Sequence, residues 1–127
     1  MATLNRVMRS LADATRLRIS VLLEGRDELC VCEIVDALRL PQYHVSRHLR
    51  TLRAAGLVSG WRQGRWMHYR LHPRMSDGDR ALVQAACARA RMEATASADL
   101  RRLRQVLRPR AGSDGLIVQR SARRRKC

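Results

Sequence analysis

The sequence predicts a mostly α-helical domain that carries one β-hairpin. Apolar residues recur at helical spacing from residue 4 to Gly56, the period shortens to two up to residue 71, and a helical pattern returns after residue 76. Pro41 separates two of the early helices, at a position where proline can start a helix but cannot continue one. This order of helices, proline turn, helix, hairpin and final helix is that of a winged helix-turn-helix.

Four helical patterns precede the hairpin. The first is marked by the spacing of Leu4, Val7, Met8 and Leu11. The second begins after Asp13, a suitable N-cap, and ends at Gly25, a suitable C-cap. The third spans residues 31–38, and the fourth follows Pro41 and stops at Gly56.

A hairpin is predicted after the fourth helix. Its strands cover residues 57–62 and 66–71, and Gly64 supplies the turn between them. Trp61 and Trp66 lie near the tip, so we expect them to pair across the two strands.

One long helix is predicted after the hairpin. Ser76 or Asp77 can cap it, and the pattern continues for roughly 30 residues, or about 45 Å. A single small domain cannot cover a helix of that length, so a second subunit is expected. The winged domain then spans residues 1–107, and the basic tail of residues 108–127 is predicted to be disordered.

The charge balance predicts a polyanionic partner. The 127 residues include 26 Lys and Arg against 11 Asp and Glu, a formal net charge of +15. Arginine predominates, and its planar fork suits phosphates and guanine edges. A membrane surface is the rival polyanion, but no apolar run approaches the roughly 20 residues of a spanning helix. Because the N-terminus has no signal-peptide pattern, a cytoplasmic location and reduced cysteines are expected.

The fourth helix is predicted to be the recognition helix, and the hairpin tip a second contact with double-stranded DNA. The face opposite Val45, Leu49 and Leu52 can bond base edges or phosphates. The candidate contacts on the helix are Gln42, Tyr43, His44, Ser46, Arg47 and Arg50, and those at the tip are Arg62, Gln63 and Arg65. His48 is expected to be an ordinary half-buried histidine. The alternative is a merely solvated polar face.

Two cysteines lie at the start of the third helix. Cys30 precedes it and Cys32 is in its first turn, where the helix N-terminus favours thiolate over thiol. Two thiolates at this spacing can converge on one soft ion, but such an ion needs three or four ligands, and zinc prefers four. The pair is therefore either part of a metal site or two buried structural residues, and a disulfide sensor is a lesser alternative.

Four blocks of the sequence resemble the ArsR/SmtB family of metal-responsive winged-helix repressors. The blocks are "LADATRLRISVLLEG", "ELCVCEIVDAL", "YHVSRHLRTLRAAGLV" and "RQGRWMHYRL". The resemblance implies a homodimer joined by its first and last helices, which binds an inverted repeat and releases it when an inducer binds. "ELCVCE" is similar to the arsenic- and antimony-responsive branch, whose Cys-Val-Cys site matches Cys30 and Cys32. That branch often has a third cysteine where this chain has Val35.

The third ligand therefore stays open at the level of sequence. Cys87 or Cys127, from the same or the other subunit, could supply it, as could solvent or an exogenous thiol. The expected inducer is As(III) or Sb(III), with Cd(II) or Pb(II) as the alternative, and no cofactor is required. The family's last-helix zinc site is not expected, because no histidine follows His72.

Two other functional classes are an effector-independent nucleic-acid-binding protein and an enzyme. A basic nucleic-acid-binding protein without an effector, acting through its tail, is the alternative. An enzyme is not expected, because the sequence shows no Ser/His/Asp set, no paired-carboxylate cleft and no glycine-rich phosphate loop.

Overall fold

The computed structural model describes the backbone of residues 1–111 and the side chains of residues 1–107. Within that part the helices are α1 (Ala2–Leu11), α2 (Ala14–Leu23), α3 (Val31–Leu38), α4 (Gln42–Ala54), α5 (Asp77–Ala90) and α6 (Ala94–Ala111). The strands are β1 (Leu29–Cys30), β2 (Val58–Gln63) and β3 (Trp66–Leu71), arranged as one antiparallel sheet in the order β1-β3-β2. This is the predicted helical domain with a β-hairpin wing.

Most of the predicted helix starts and stops are confirmed. The Asp13 carboxylate caps α2 by accepting a hydrogen bond from the Arg16 amide at 3.0 Å. The Ser76 hydroxyl caps α5 through the Asp79 amide at 3.1 Å. After α4, Gly56 adopts a φ of +79°, which a side chain would strain. Local capping chemistry therefore sets where these helices begin and end.

An aliphatic core holds α4 against the rest of the domain. The largest fully buried side chains include Ile19, Leu22, Leu23, Ile34, Leu38, Leu49, Leu52, Leu57 and Leu103. Each such side chain contributes roughly 1.5–3 kcal/mol relative to exposure. α3 lies between α4 and α6 and packs against both. A displacement of α3 would therefore also displace α4.

The prediction of a single long final helix is wrong. The chain forms α5 and α6, separated by a turn in which the Met92 amide bonds to the Arg89 carbonyl and the Glu93 amide to the Ala90 carbonyl. The break lets α6 bury Leu103 completely within its own chain. Neither glycine nor proline marks it in the sequence. The argument that helix length demands a second subunit therefore fails, and the dimer stays a prediction on other grounds.

The predicted pairing of the two tryptophans is also wrong. In the register of β2 and β3, Trp61 lies opposite His68, and Trp66 lies opposite Gln63. β2 continues one residue closer to the tip than the sequence indicated, whereas β3 has the predicted bounds, and this register separates the two tryptophans. The structure also contains β1, a two-residue strand that the sequence did not predict because so short a segment shows no alternation.

A buried ionic cluster fastens the end of α3 to α2 and α6. Asp99 is fully buried and accepts from Arg18 Nε at 2.7 Å, Arg18 Nη2 at 2.9 Å and Arg102 Nη2 at 2.7 Å. The two guanidinium groups also donate to carbonyls in the last turn of α3: Arg102 to Ala37 at 2.6 Å and Arg18 to Leu38 at 3.0 Å. Cations satisfy the exposed carbonyls of a helix C-terminus. The hydrogen bond that Arg18 donates to Asp99 raises the pKa of Arg18.

α6 continues through Ala111, into the segment that the sequence assigned to a disordered tail. Residues 112–127, including Cys127, lie outside the described residues. None of the helices described is both long and apolar enough to cross a lipid bilayer.

Candidate nucleic-acid interface and cysteine pair

α4 presents a polar face to solvent. Val45, Leu49 and Leu52 are completely buried, which anchors the opposite side of the helix. The predicted contacts then divide into two groups: Gln42, Tyr43, Arg47 and Arg50 are exposed, and His44 and Ser46 are half-buried. The structure thus places all six helical candidates on the side available to a partner.

Three of these residues form a contact cluster at the start of α4. The rings of Tyr43 and His44 are 4.6 Å apart between centroids, tilted by 34°. Arg47 Nη2 lies 3.2 Å from His44 Nδ1. Together they offer a phenol, an imidazole and a guanidinium side by side, which suits base edges or phosphates in a major groove.

His48 has a different environment from His44, as the sequence suggested. It is half-buried, and its Nδ1 atom lies 3.0 Å from Arg16 Nη1 on α2 and 3.8 Å from Asp13. Burial lowers the pKa of His48, while the Asp13 charge opposes that shift. His48 therefore links α4 to α2.

The wing tip is basic and exposed. Arg62, Gln63 and Arg65 are all solvent-facing, and Gly64 between them has a φ of +68°, which the turn requires. Arg62 Nη1 donates to the Arg65 main-chain carbonyl at 3.3 Å, so the Arg62 side chain folds back over the turn. A basic tip of this kind fits backbone or minor-groove contacts.

Two further arginines near the polar face of α4 are exposed and were not among the predicted contacts. Arg53 is exposed on α4 three residues after Arg50, a spacing that places both on one face and could have identified it. Arg39 is exposed between α3 and α4 with a φ of +57°. An arginine with a left-handed backbone conformation cannot be recognised from the sequence, because glycine or asparagine normally adopts that conformation.

Cys30 and Cys32 lie together at the N-terminus of α3. Cys30 is its N-cap residue, and the two Sγ atoms are 3.0 Å apart. Both are buried, Cys30 completely. Glu33 completes a capping box by accepting from the Cys30 amide at 2.9 Å. The helix start therefore holds both sulfur atoms close enough to share one ion.

The cysteine pair also borders the sheet. Cys30 of β1 is the register partner of His68 in β3. His68 is fully buried, its Nδ1 atom lies 2.6 Å from a Glu28 carboxylate oxygen, and its ring stacks on that of Trp61 at 6.1 Å. The sequence did not indicate this neighbourhood, because it depends on the unpredicted strand β1.

A complete metal site is not formed by the side chains that the structure describes. Among them, no three His, Cys, Asp or Glu residues come together in a metal-holding group. Cys87 is completely buried in α5, and burial raises the pKa of its thiol to about 12. Val35, where the resemblance implies a third cysteine, packs against the core. Two sulfur atoms therefore lie close together, and the described side chains do not add a third ligand.

Comparison with known proteins agrees with this arrangement. Residues 13–59 match the family model described as bacterial regulatory protein, arsR family. The chain is 51% identical over 67 residues to the arsenic resistance transcriptional regulator ArsR1 of Pseudomonas putida, covering 53% of this chain and 52% of that protein. It is 42% identical over 78 residues to ArsR2 of the same organism, covering 61% and 68%. The match therefore spans about half the length of the first relative.

A solved structure shares the fold. HlyU from Vibrio cholerae aligns with a TM-score of 0.60 at 28% identity, covering 72% of this chain and 91% of that one. With the sequence relatives, this shows that the chain belongs to the ArsR family of bacterial regulatory proteins.

Proposed function

We propose that this protein is a transcriptional repressor that binds an inverted-repeat operator as a homodimer and releases it when As(III) or Sb(III) binds Cys30 and Cys32. The observation that carries the proposal is the position of the two sulfur atoms, 3.0 Å apart at the start of the helix that supports the recognition helix. Relatives named as arsenic resistance regulators support the choice of effector.

DNA binding follows from the two exposed basic elements. α4 enters a major groove with its face of Gln42 to Arg50, and the wing contacts the neighbouring backbone through Arg62 and Arg65. Most affinity comes from phosphate neutralisation, to which the net charge of +15 contributes, so binding should weaken steeply with salt.

The dimer is proposed to form through α1 and α6. Leu4 and Met8 on α1 are 41% and 50% exposed, which leaves an apolar surface on that helix. A two-fold axis would place the two recognition helices about 34–36 Å apart, one turn of B-DNA. A shift of either helix would then misalign both half-sites.

The ion site is proposed to be completed by a group beyond the two cysteines. Pyramidal As(III) accepts two sulfur ligands and one further group. Cys87 of the other subunit, Cys127, solvent or an exogenous thiol can supply it. The raised pKa of Cys87 works against a thiolate at that position, which favours the other sources.

Release is coupled through α3. To hold one ion, Cys30 and Cys32 must reorganise the first turn, where Glu33 bonds the Cys30 amide. Because α3 packs on α4, the recognition helix moves with it. A coupling free energy of about 1–3 kcal/mol corresponds to a 5- to 150-fold loss of operator affinity.

The test is operator binding measured by fluorescence anisotropy, on the inverted repeat upstream of the gene, with and without arsenite. Wild type should be released, whereas Cys30→Ser and Cys32→Ser should bind the operator and ignore arsenite. Cys87→Ser is the matched control and should respond as wild type does. If both serine variants were still released by arsenite and antimonite, the proposal would be wrong.

The same variants separate the alternatives. Titration of sulfur-to-metal charge-transfer absorption with arsenite, Cd(II) and Pb(II) shows which ion the pair prefers. Removal of residues 112–127 addresses the effector-independent alternative: a repressor keeps its sequence preference and loses only general affinity, whereas a protein that acts through its tail loses binding altogether.

A further inference from the structure

The cysteine pair is joined to the wing by a route separate from α3. Cys30 is at once the N-cap of α3 and the last residue of β1. On the strand side it lies opposite His68, which is in the middle of β3. A residue shared by a helix start and a sheet cannot move without affecting both.

His68 carries this contact towards the wing. Its ring stacks on Trp61 of β2 at 6.1 Å and 23°, and the two residues are register partners. A carboxylate oxygen of Glu28, two residues before Cys30, lies 2.6 Å from Nδ1 of His68. The guanidinium of Arg70 lies 5.5 Å from the centroid of Trp61 on the hairpin. Trp61 thus connects a fully buried histidine to the basic part of the wing.

We propose that His68 positions the wing relative to the cysteine pair, so that ion binding displaces the wing as well as the recognition helix. The inference rests on the proposed function, because it requires an ion at Cys30 and Cys32. When the two cysteines close on the ion, β1 shifts against β3, His68 follows its register partner, and Trp61 follows the His68 ring. Arg62, next to Trp61, then loses its place on the DNA backbone.

The molecule supplies its own reporter for this motion. Its two tryptophans, Trp61 and Trp66, are both in the wing hairpin. In the variant Trp66→Phe, fluorescence excited at the red edge reports on Trp61 alone. Arsenite should then produce a saturable change in Trp61 emission with the same midpoint as the charge-transfer absorption. Without His68 the absorption should still saturate, but the change in emission should be lost.

The decisive variant is His68→Gln in the Trp66→Phe background, with His72→Gln as the matched control. His72 is a half-buried histidine just beyond β3, and it accepts a hydrogen bond from the Arg74 amide at 3.1 Å. His68→Gln should bind arsenite as the parent does, and without arsenite it should bind the operator as the parent does. Its change in Trp61 emission should be less than half that of the parent. His72→Gln should keep the full response.

The outcomes are separable. If absorption shows no arsenite binding to the Trp66→Phe protein, the proposed function fails. If absorption saturates but Trp61 emission stays constant, or if His68→Gln keeps the full response, the wing inference is overturned and the proposed function stands. Should His68→Gln not fold, Glu28→Gln tests the same link. The Glu28 side chain is 26% exposed, and its neutral form should weaken the hold on His68 and reduce the response.

Discussion

The two ends of α3 are held in opposite ways. At its C-terminus, the carbonyls of Ala37 and Leu38 accept from two arginines that share the buried Asp99, so three helices meet in charge-assisted hydrogen bonds. At its N-terminus, the start of the helix is held by the local capping box of Cys30 and Glu33 and by the pairing of Cys30 in β1 with His68 in β3. The difference indicates a fixed end and an adjustable end.

This asymmetry explains how a small ion can move a helix. An ion that binds at the adjustable end works against a local capping interaction, while the far end stays attached to α2 and α6. In the proposed mechanism the helix would pivot, and its packing against α4 would displace the polar face of that helix. If both ends were loose, the same ion would only fray the first turn.

The largest effect is expected from breaking the fixed end. Asp99→Asn leaves Arg18 and Arg102 without their shared carboxylate, and removal of one partner from a buried ion pair costs about 3 kcal/mol or more. Both arginine side chains are partly exposed, at 20% and 27%, so we expect a loss close to this lower bound of about 3 kcal/mol. Urea unfolding at fixed protein concentration measures the loss, because the stability of a dimer depends on concentration.

The control is an ion pair of the same chemistry on the surface. Arg89 and Glu93 are 2.9 Å apart, and both side chains are more than 60% exposed. Arg89→Gln should change the free energy of unfolding by less than about 0.5 kcal/mol. Equal effects at Asp99 and Arg89 would show that the end of α3 is not specially held.

Breaking the adjustable end should affect the response to arsenite and leave stability nearly unchanged. Cys30→Ser keeps an N-cap side chain, since serine is itself a favoured cap, so unfolding should change by less than about 1 kcal/mol. The same variant should lose the whole coupling of about 1–3 kcal/mol between arsenite and operator. Anisotropy titrations at several arsenite concentrations give that coupling. A variant that was strongly destabilised and still inducible would reverse the assignment of the two ends.

The contrast between the ends was only partly visible in the sequence. The N-terminal end could be predicted, because Cys30, Cys32 and the capping position are contiguous. The C-terminal end joins Arg18, Leu38 and Asp99, which are far apart in the chain. No local pattern marks such a contact.

The same reasoning accounts for the errors in predicting the fold from the sequence. Helices with apolar periodicity and caps, such as α2 and α4, were predicted nearly to the residue. The break between α5 and α6 was missed because neither glycine nor proline marks it in the sequence. Strand β1 was missed because two residues carry no period, and with it the contact between Cys30 and His68 was missed.

Adding a third sulfur ligand at the adjustable end should raise the affinity for arsenite. Val35 is one helical turn after Cys32 and only partly buried, so Val35→Cys places a third sulfur on the same side of α3. A ligand in the same helix removes the need for an outside group, and arsenite affinity should rise about tenfold or more, equivalent to about 1.4 kcal/mol. Charge-transfer titration measures this, with Val35→Ala as the control for lost packing. Unchanged affinity would mean that the third position is already filled by a strong donor.

The smallest effect concerns a second pair of attachments, both made by arginines of α2. Arg18 donates to the Leu38 carbonyl of α3 at 3.0 Å and to the Asp99 carboxylate of α6, whereas Arg16 contacts α4 through the ring of His48 at 3.0 Å. Protonation of His48 would place a cation beside Arg16, and burial already lowers its pKa below the ordinary 6.5. The attachment of α4 should therefore depend on pH where that of α3 does not.

The sign follows from the lowered pKa of His48. Because the unfolded chain takes up the proton at a higher pH than the folded chain, the contribution of His48 is complete above about pH 6.5 and is lost as the pH falls towards its folded pKa. Asp13, whose pKa is also lowered, acts only below about pH 4, outside this window. Between pH 7 and 5 the loss should be under about 1 kcal/mol, and His48→Gln should remove it, whereas His44→Gln should not. If the pH dependence were identical in His48→Gln and wild type, the neutral link between α2 and α4 would have no energetic role.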